Sequence, residues 1–391
     1  GVSQLGVQLV GLAMPVLAVQ VLAADEMQMG LLATFEMLAF LVIGLPAGAW
    51  VDRWRKKRVL IAGDAVRGVV LLTLPAAWLL DMLTMTQVYV VALVVGAATV
   101  FFDVAYQSFL PVLVGRTQLV DGNSKLQVTQ SVATMVGPGI GGGLVDLVSA
   151  PFALLVDSGS FLLSAFFLWR IRSAEPPPVA VRSKLYGDVI AGLRLVLGNP
   201  LLRAIAGFQA TGNLFIHMIV SVLVLYTTRE LGITPGVLGL IFASGSAGTV
   251  LGAFLVRYIA SRFGLGPTIV GGALLMSVGY LFIPFARGIG AELILGAGLF
   301  LSGLGEVIFG VNQMSLRQGI TPDRMQGRMN ATMRFVTWAS RPVGALLGGI
   351  LAEQIGLSAT LVVGAAGTLL AVPWVWFSSL RTLVKQPDVA S

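Results

Sequence analysis

The stretch Gly44-Leu45-Pro46-Ala47-Gly48-Ala49-Trp50-Val51-Asp52-Arg53-Trp54-Arg55-Lys56-Lys57-Arg58-Val59-Leu60 changes from apolar to densely cationic and back within a few residues. A membrane boundary explains that change, because basic clusters between apolar spans collect on the cytoplasmic side. Gly44 and Gly48 stand four apart on one helical face, which predicts close approach of another helix there. Asp52 closes the helix among cations, a position where a carboxylate needs partners or a helix N-terminus.

Composition agrees with a membrane reading. Of 391 residues, 56% are hydrophobic and only 11% charged, and the mean hydropathy is +0.90. A soluble domain carries roughly a quarter charged residues. The 48 glycines and 17 prolines suit close-packed, locally broken membrane helices. With no cysteine and one histidine, His217, neither disulfides nor a thiolate or histidine-built metal centre is expected. No metal or cofactor is called for. The net charge of +7 lies in short loops beside apolar spans, so it reads as topology and not as a nucleic-acid surface. The chain opens inside an apolar run without methionine, which implies native residues before Gly1.

At roughly 20 residues per span, the apolar runs predict an all-α polytopic protein of about twelve helices. They fall near 3–24, 29–50, 58–80, 87–112, 125–147, 151–171, 201–228, 236–257, 267–286, 290–316, 329–352 and 358–380. Residues 1–171 form one six-helix bundle and 201–391 a second. The interval 172–200 is a cytoplasmic linker: prolines 176–178 break any helix, and Leu185, Val189, Leu193 and Val196 then recur at the spacing of a short amphipathic surface helix. Arginines and lysines alternate between loops, with the 53–58 cluster, Arg116, Lys125, Arg170, Arg194, Arg257, Arg262, Arg317, Arg324, Arg328, Arg381 and Lys385 on one side. Both termini are therefore expected in the cytoplasm.

The two bundles repeat. Gly137-Pro138-x-x-Gly141-Gly142 returns as Gly344-x-x-x-Gly348-Gly349, Asn123 as Asn330 and Phe102 as Phe309. Gly44-x-x-x-Gly48 returns as Gly248-x-x-x-Gly252, followed by Arg257 as Arg53 follows the first copy. Val256 stands where the first copy has Asp52. Related halves about a central linker are a transporter architecture, with substrate expected near the membrane midplane.

The 44–60 stretch resembles the loop motif of the major facilitator superfamily, Gly-x-x-x-Asp-Arg-x-x-(Arg/Lys)-(Arg/Lys), matched by Gly48, Asp52, Arg53, Lys56 and Lys57. Arg55 replaces the family's usual glycine. Gly137, Pro138, Gly141 and Gly142 resemble the Gly-Pro-x-x-Gly-Gly element of drug–proton antiporters, with Ala133 in place of the preceding glycine; an ordinary close helix contact would use the same residues. Phe101 to Pro111, and Asn312 to Asn330, resemble the branch holding macrolide efflux proteins and the enterobactin exporter. The resemblance implies secondary efflux of a bulky, partly apolar compound by proton antiport and alternating access, in a bacterial inner membrane, with Gly44, Gly48, Asp52, Arg53, Lys56 and Lys57 as a cytoplasmic gate. The family's first-span Gly-Asp is Gly6-Val7 here, which moves proton handling elsewhere. Siderophore export, proton-coupled uptake and a non-transporting sensor or scaffold are the competing readings. No nucleophile, base and metal constellation suggests an enzyme. Protons, lipids and one small molecule are the expected partners of a monomer.

Ionisable groups inside spans are costly without a function or a partner. Glu36, Asp103 and Glu306 are thereby the candidates for proton coupling. Asp103 shares a face with Thr99, Tyr106 and Gln107, and a structural latch from Asp103 to Arg67 is the alternative. Gln209, Asn213 and His217 line one face of the seventh span at i, i+4, i+8. With Tyr106, Gln107, Gln313, Trp338 and Arg341 they are the substrate-cavity candidates; His217 is equally readable as a packing residue. Phe40, Phe208 and Phe215 read as an apolar wall or as packing. Glu306 and Arg341 lie at similar depth on antiparallel neighbours, so they are expected to pair or to share a wet cavity. Thr99, Gln127 and Thr134 hold the equivalent places of Glu306, Arg334 and Arg341 in the first half.

Overall fold

The computed structural model describes residues 2–114, 119–171 and 185–384; Arg116, 172–184 and Lys385 lie outside them, as do the side chains of Asp52, Gln107 and Gln127. All regular structure among the described residues is helical. Six helices come first: α1 Val2–Gln20, α2 Glu26–Asp52, α3 Lys56–Leu79, α4 Met85–Val114, α5 Leu119–Val148 and α6 Ala150–Arg170. Then follow α7 Leu185–Gly198, α8 Pro200–Arg229, α9 Pro235–Phe263, α10 Leu265–Leu281, α11 Ala291–Ile320, α12 Asp323–Ile355 and α13 Leu357–Trp376. Twelve of these, all but α7, are long and apolar enough to span a membrane. Only helices satisfy every backbone group without water, which is why apolar runs of this length have one outcome.

The helix ends follow local chemistry. Asp25 accepts from the Gln28 backbone N–H at 2.7 Å while the Gln28 side chain accepts from Asp25 N–H at 3.2 Å, a capping box that starts α2. Asn199 caps α8, with Pro200 in the first turn. The turn after α2 closes by i→i+3 bonds, Arg53 N–H to Trp50 O and Trp54 N–H to Val51 O. Arg55 is extended there at φ −70°, so this turn requires no glycine.

Two compact units emerge, one of Gly1–Ser183 with Gly232–Ala243, the other of Lys184–Leu231 with Ser244–Ser391. In the first, α1 packs on α5 and α6, α3 on α4 and α6, and α2 on α4. In the second, α8 packs on α12 and α13, and α10 on α11 and α13, repeating the pairings of α1 and α3. The turn between α5 and α6 passes through Ser149 at φ +78° and that between α12 and α13 through Gly356 at φ +86°. Serine carries strain in that left-handed region which glycine avoids. The linker helix α7 docks on α12 and α8: Val196 is buried in the core of the second unit, while Ile190 and Leu197 stay exposed. Its apolar face is thus divided between protein and the exposed side expected of a surface helix.

Glycine decides where helices touch. The close approach expected at Gly44 and Gly48 is not made within the first unit: neither has a described heavy atom of that unit within 4 Å of where a Cβ would sit. The second copy does the packing instead. A Cβ on Gly248 would lie 2.9 Å from Phe300 C, and one on Gly252 3.0 Å from Leu304 O, so α9 presses its backbone onto α11. Overpacking of this kind costs about 1–3 kcal/mol. Gly248→Ala is therefore expected to lower the thermal unfolding temperature of the purified protein, whereas Gly44→Ala leaves it unchanged; equal effects at the two positions would refute the asymmetry.

Candidate functional site

The α8 face predicted from Gln209, Asn213 and His217 carries a bonded polar array within the second unit. Asn213 donates Nδ2–H to Gln209 O at 2.8 Å, and its Oδ1 accepts from Arg341 Nε on α12 at 3.2 Å. Thr337 Oγ1 donates to Gln209 Oε1 at 3.4 Å. The indole of Trp338 lies under the Arg334 guanidinium at 4.5 Å and nearer the edge of Arg341's reach at 5.8 Å, within cation–π distance. His217 feels the charge of Arg341. Glu306 on α11 and Tyr280 on α10 feel it too. Polar groups of three helices thus lie within the electrostatic reach of one arginine.

Of the two arrangements expected for Glu306 and Arg341, the contact pair is not formed. Arg341 spends its Nε on Asn213, and the two charges act on one another without a contact ion pair. Glu306 is exposed and Arg341 half-buried. Gln313 takes a different place: it is buried, donates to Gly310 O at 3.1 Å and accepts from Arg317 Nη1 at 3.2 Å, while Arg317 Nη2 donates to Asn330 at 2.9 Å. That network ties α11 to α12 and leaves Gln313 no polar group aimed at a ligand. Phe208 is buried against Phe309, with centroids 4.6 Å apart, and the Phe215 ring fills the space over Gly367; both are packing residues.

In the first unit Glu36 is half-buried, with Oε1 lacking a partner, and its carbonyl faces Gly96 of α4, 2.6 Å from where a Cβ would sit. Tyr106 stacks on Phe102 at 5.7 Å. Asp103 acts electrostatically on Arg67. Arg67, however, is in direct contact with Asp64, three residues earlier on the same helix. Asp64 and Asp157, both fully buried, escaped the reading of the sequence. Their signal was present, as an acid and a base at i, i+3 in one apolar run and a lone acid in another.

The gate residues divide. Lys57 donates from Nζ to Trp169 O at 3.1 Å and Ile171 O at 2.6 Å, so it holds the carboxyl end of α6, where a cation belongs. Arg53, Arg55 and Arg58 rim a cavity of about 610 Å3 whose apolar wall includes Trp54, Val66 and Phe101. That cavity lies at the α2–α3 turn, and neither Asp64 nor Asp157 lines it. Within α5, Gly137 and Gly141 rest on Gln8 and Leu9 of α1, the Gly137 Cβ position falling 2.5 Å from Gln8 Cβ. Gly344 rests in the same way on Leu214 of α8. Gly142 meets the backbone of Gly236 and Gly239 in the first turns of α9. Asp146 beside it accepts from Gly236 N–H at 2.8 Å and Thr234 Oγ1 at 3.1 Å, a cap supplied from another helix. One glycine-lined helix thus receives two neighbours, at Gly137 and Gly141 and at Gly142, while Gly139 and Gly143 meet no described atom within 4 Å.

Twelve spans in two repeated bundles, with polar groups confined to a few helix faces, define a multi-pass membrane transporter. The sequence matches the Major Facilitator Superfamily over residues 1–220 and 210–390, and the chain belongs to that family. It is 30% identical to the multidrug efflux pump Tap of Mycolicibacterium fortuitum over 90% of this chain and 87% of Tap. It is 26% identical to the enterobactin exporter EntS of Citrobacter koseri over 93% of this chain and 86% of EntS. A bacterial homologue of the iron transporter ferroportin, solved in an inward-facing state, superposes with a TM-score of 0.74 at 17% identity, covering 96% of this chain and 95% of that one.

Because Arg341 leans on Asn213 and not on Glu306, removing the two partners has unequal effects. Asn213→Leu leaves a charged donor unpaired, a loss of about 1.5–3 kcal/mol, and is expected to lower the unfolding temperature clearly. Glu306→Gln is expected to change it little. The reverse order in thermal unfolding of the purified variants would contradict this arrangement.

Proposed function

We propose that this protein is a secondary exporter of a bulky, partly apolar small molecule, moving it out of the cytoplasm across a bacterial inner membrane by alternating access and driven by proton entry. The observation that supports this reading most is the Arg341 array: a cationic, hydrogen-bonding centre with an aromatic face, joined by side chains of α8 and α12. A partly apolar compound with a few polar atoms fits such a surface, since apolar contact supplies binding and a few placed polar groups supply orientation. The likeness to a multidrug efflux pump supports the direction of transport.

In this reading Trp338 offers an apolar face and Gln209, Asn213, His217 and Arg341 offer hydrogen bonds from the second unit, while Tyr106 and Gln107 are the candidates of the first. Asp52 and Arg53 close the cytoplasmic side, with both termini on that side. Glu36, Asp103 and Glu306 are the acids assigned to coupling. Proton binding at such an acid changes the cost of enclosing it and so biases one conformation over the other. A second reading, siderophore export, is favoured by the likeness to EntS and by the two guanidinium groups at Trp338, which suit an anionic compound.

Proteoliposomes with an acidic lumen test both. A macrolide or a lipophilic cationic dye should accumulate inside, and a protonophore should abolish the accumulation. Accumulation of a catecholate siderophore alone would select the second reading. Accumulation indifferent to the pH gradient would overturn proton antiport.

A further inference from the structure

Four side chains from three helices of the first unit meet away from solvent: Ser3 of α1, Asp64 and Arg67 of α3, and Asp157 of α6. Asp64 and Asp157 are fully buried, and Arg67 is 1% exposed. Ser3 donates its hydroxyl to Asp64 Oδ1 at 3.0 Å. Arg67 Nη2 contacts the same carboxylate oxygen and reaches Ser3 Oγ at 3.3 Å. The guanidinium lies between the rings of Phe102, at 4.3 Å, and Phe161, at 4.5 Å, so it cannot swing away without unpacking α4 or α6.

The acids are unequally served. Asp64 has Arg67 in contact. Asp157 accepts one bond, from Ser160 Oγ at 3.1 Å to Oδ1, and its Oδ2 has no partner. Asp64 Oδ2 and Arg67 Nε also lack partners. From α3, the charges of Asp64 and Arg67 face this centre; from α4, Asp103 acts on it through Arg67. α1 carries no ionisable side chain over Val2–Gln20. On α5, Lys125 is exposed and Asp146 is engaged with α9. One guanidinium therefore answers to Asp64, Asp103 and Asp157. An ionised carboxylate left unpaired in a dry interior is strongly disfavoured, whereas a neutral carboxylic acid with an unsatisfied hydroxyl is disfavoured far less.

The cover over this acid is backbone. A Cβ on Gly6 would lie 2.5 Å from Asp157 Oδ1 and 2.8 Å from Ser160 Oγ, so α1 rests directly on the carboxyl group. Closed packing of α1 leaves no room for the water that an ionised Asp157 requires.

We propose that Asp157 is the site at which the first unit binds and releases its proton, with α1 as the cover that seats on the neutral acid and lifts from the ionised one. This rests on the proton-antiport reading and names the acid that serves it, with Asp103 acting through the shared Arg67. The proton comes from the aqueous phase on one side of the membrane, converts the carboxylate to the acid, and leaves to the other side. Substrate contacts none of these groups.

The test compares wild type and Asp157→Asn in proteoliposomes, using the substrate that wild type accumulates. The asparagine variant should still exchange that substrate down its own gradient with an unchanged KM, while losing accumulation driven by the pH gradient and the pH dependence of its rate. A wild type that ignores the pH gradient, or that follows a sodium gradient, sinks antiport and this site together. A wild type driven by the gradient with an equally driven Asp157→Asn sinks this site alone. Infrared difference spectra of the wild type between acidic and alkaline pH supply a substrate-free arm: the carbonyl stretch of a protonated carboxylic acid should be present, titrate, and vanish in Asp157→Asn. If Asp157→Asn does not fold, Ser160→Ala takes its place, and the band should shift as its hydroxyl partner is lost. No titrating band, or none displaced by Ser160→Ala, overturns the proposal.

Discussion

A guanidinium held inside a lipid-embedded bundle restricts everything around it. Arg67 cannot lose its proton at any physiological pH, and it cannot reach water from a position 1% exposed. The first unit must therefore bring acids, hydroxyls and aromatic faces to it from several helices at once. Asp64 and Ser3 supply the polar contacts, Phe102 and Phe161 the flanking rings. Each contribution fixes the rotation of one helix. The register of α1, α3, α4 and α6 is thereby specified more tightly than apolar packing between lipid-solvated helices would achieve, since lipid is as apolar as leucine.

The second unit solves the same problem with the roles redistributed. Arg341 on α12 is met by Asn213 of α8, and its charge extends to Glu306, Tyr280 and His217. In the first half the places of Glu306 and Arg341 are taken by Thr99 and Thr134, whose hydroxyls turn back to Val95 O and Gln130 O of their own helices. The halves thus share a scaffold, visible in Gly137 on α1 and Gly344 on α8, but not a charge pattern. Glycine and backbone contacts preserve the repeat; the ionisable groups mark where the two copies diverged in use.

The spans, the repeat and the linker helix were legible because they depend on runs of residues, and an apolar run of span length leaves the backbone one solution. Pairwise contacts depend on rotation about helix axes, which spacing constrains only weakly. Gly44 and Gly48 look like a packing motif and receive no described neighbour of the first unit, whereas Gly248 and Gly252, with the same spacing, are packed. Lys57 sits in a gate motif and holds the end of α6. Gln313 reads as a cavity residue until Arg317 is seen to occupy its side-chain oxygen. Asp157 drew no notice because nothing near it in sequence is charged; its surroundings are assembled from α1 and α3, far along the chain. The polar face of α8 was readable for the opposite reason, since i, i+4, i+8 spacing keeps Gln209, Asn213 and His217 together whatever α8 packs against.

The account stands on the movement of a proton against that of the substrate, and this can be observed without an imposed gradient. A pH-sensitive dye is trapped in the lumen of proteoliposomes at equal pH on both sides, and the transported compound is added outside. The account predicts that the lumen alkalinises as the compound enters and protons leave, and that the dye is silent in protein-free liposomes. Entry of the compound with no change in luminal pH would contradict it.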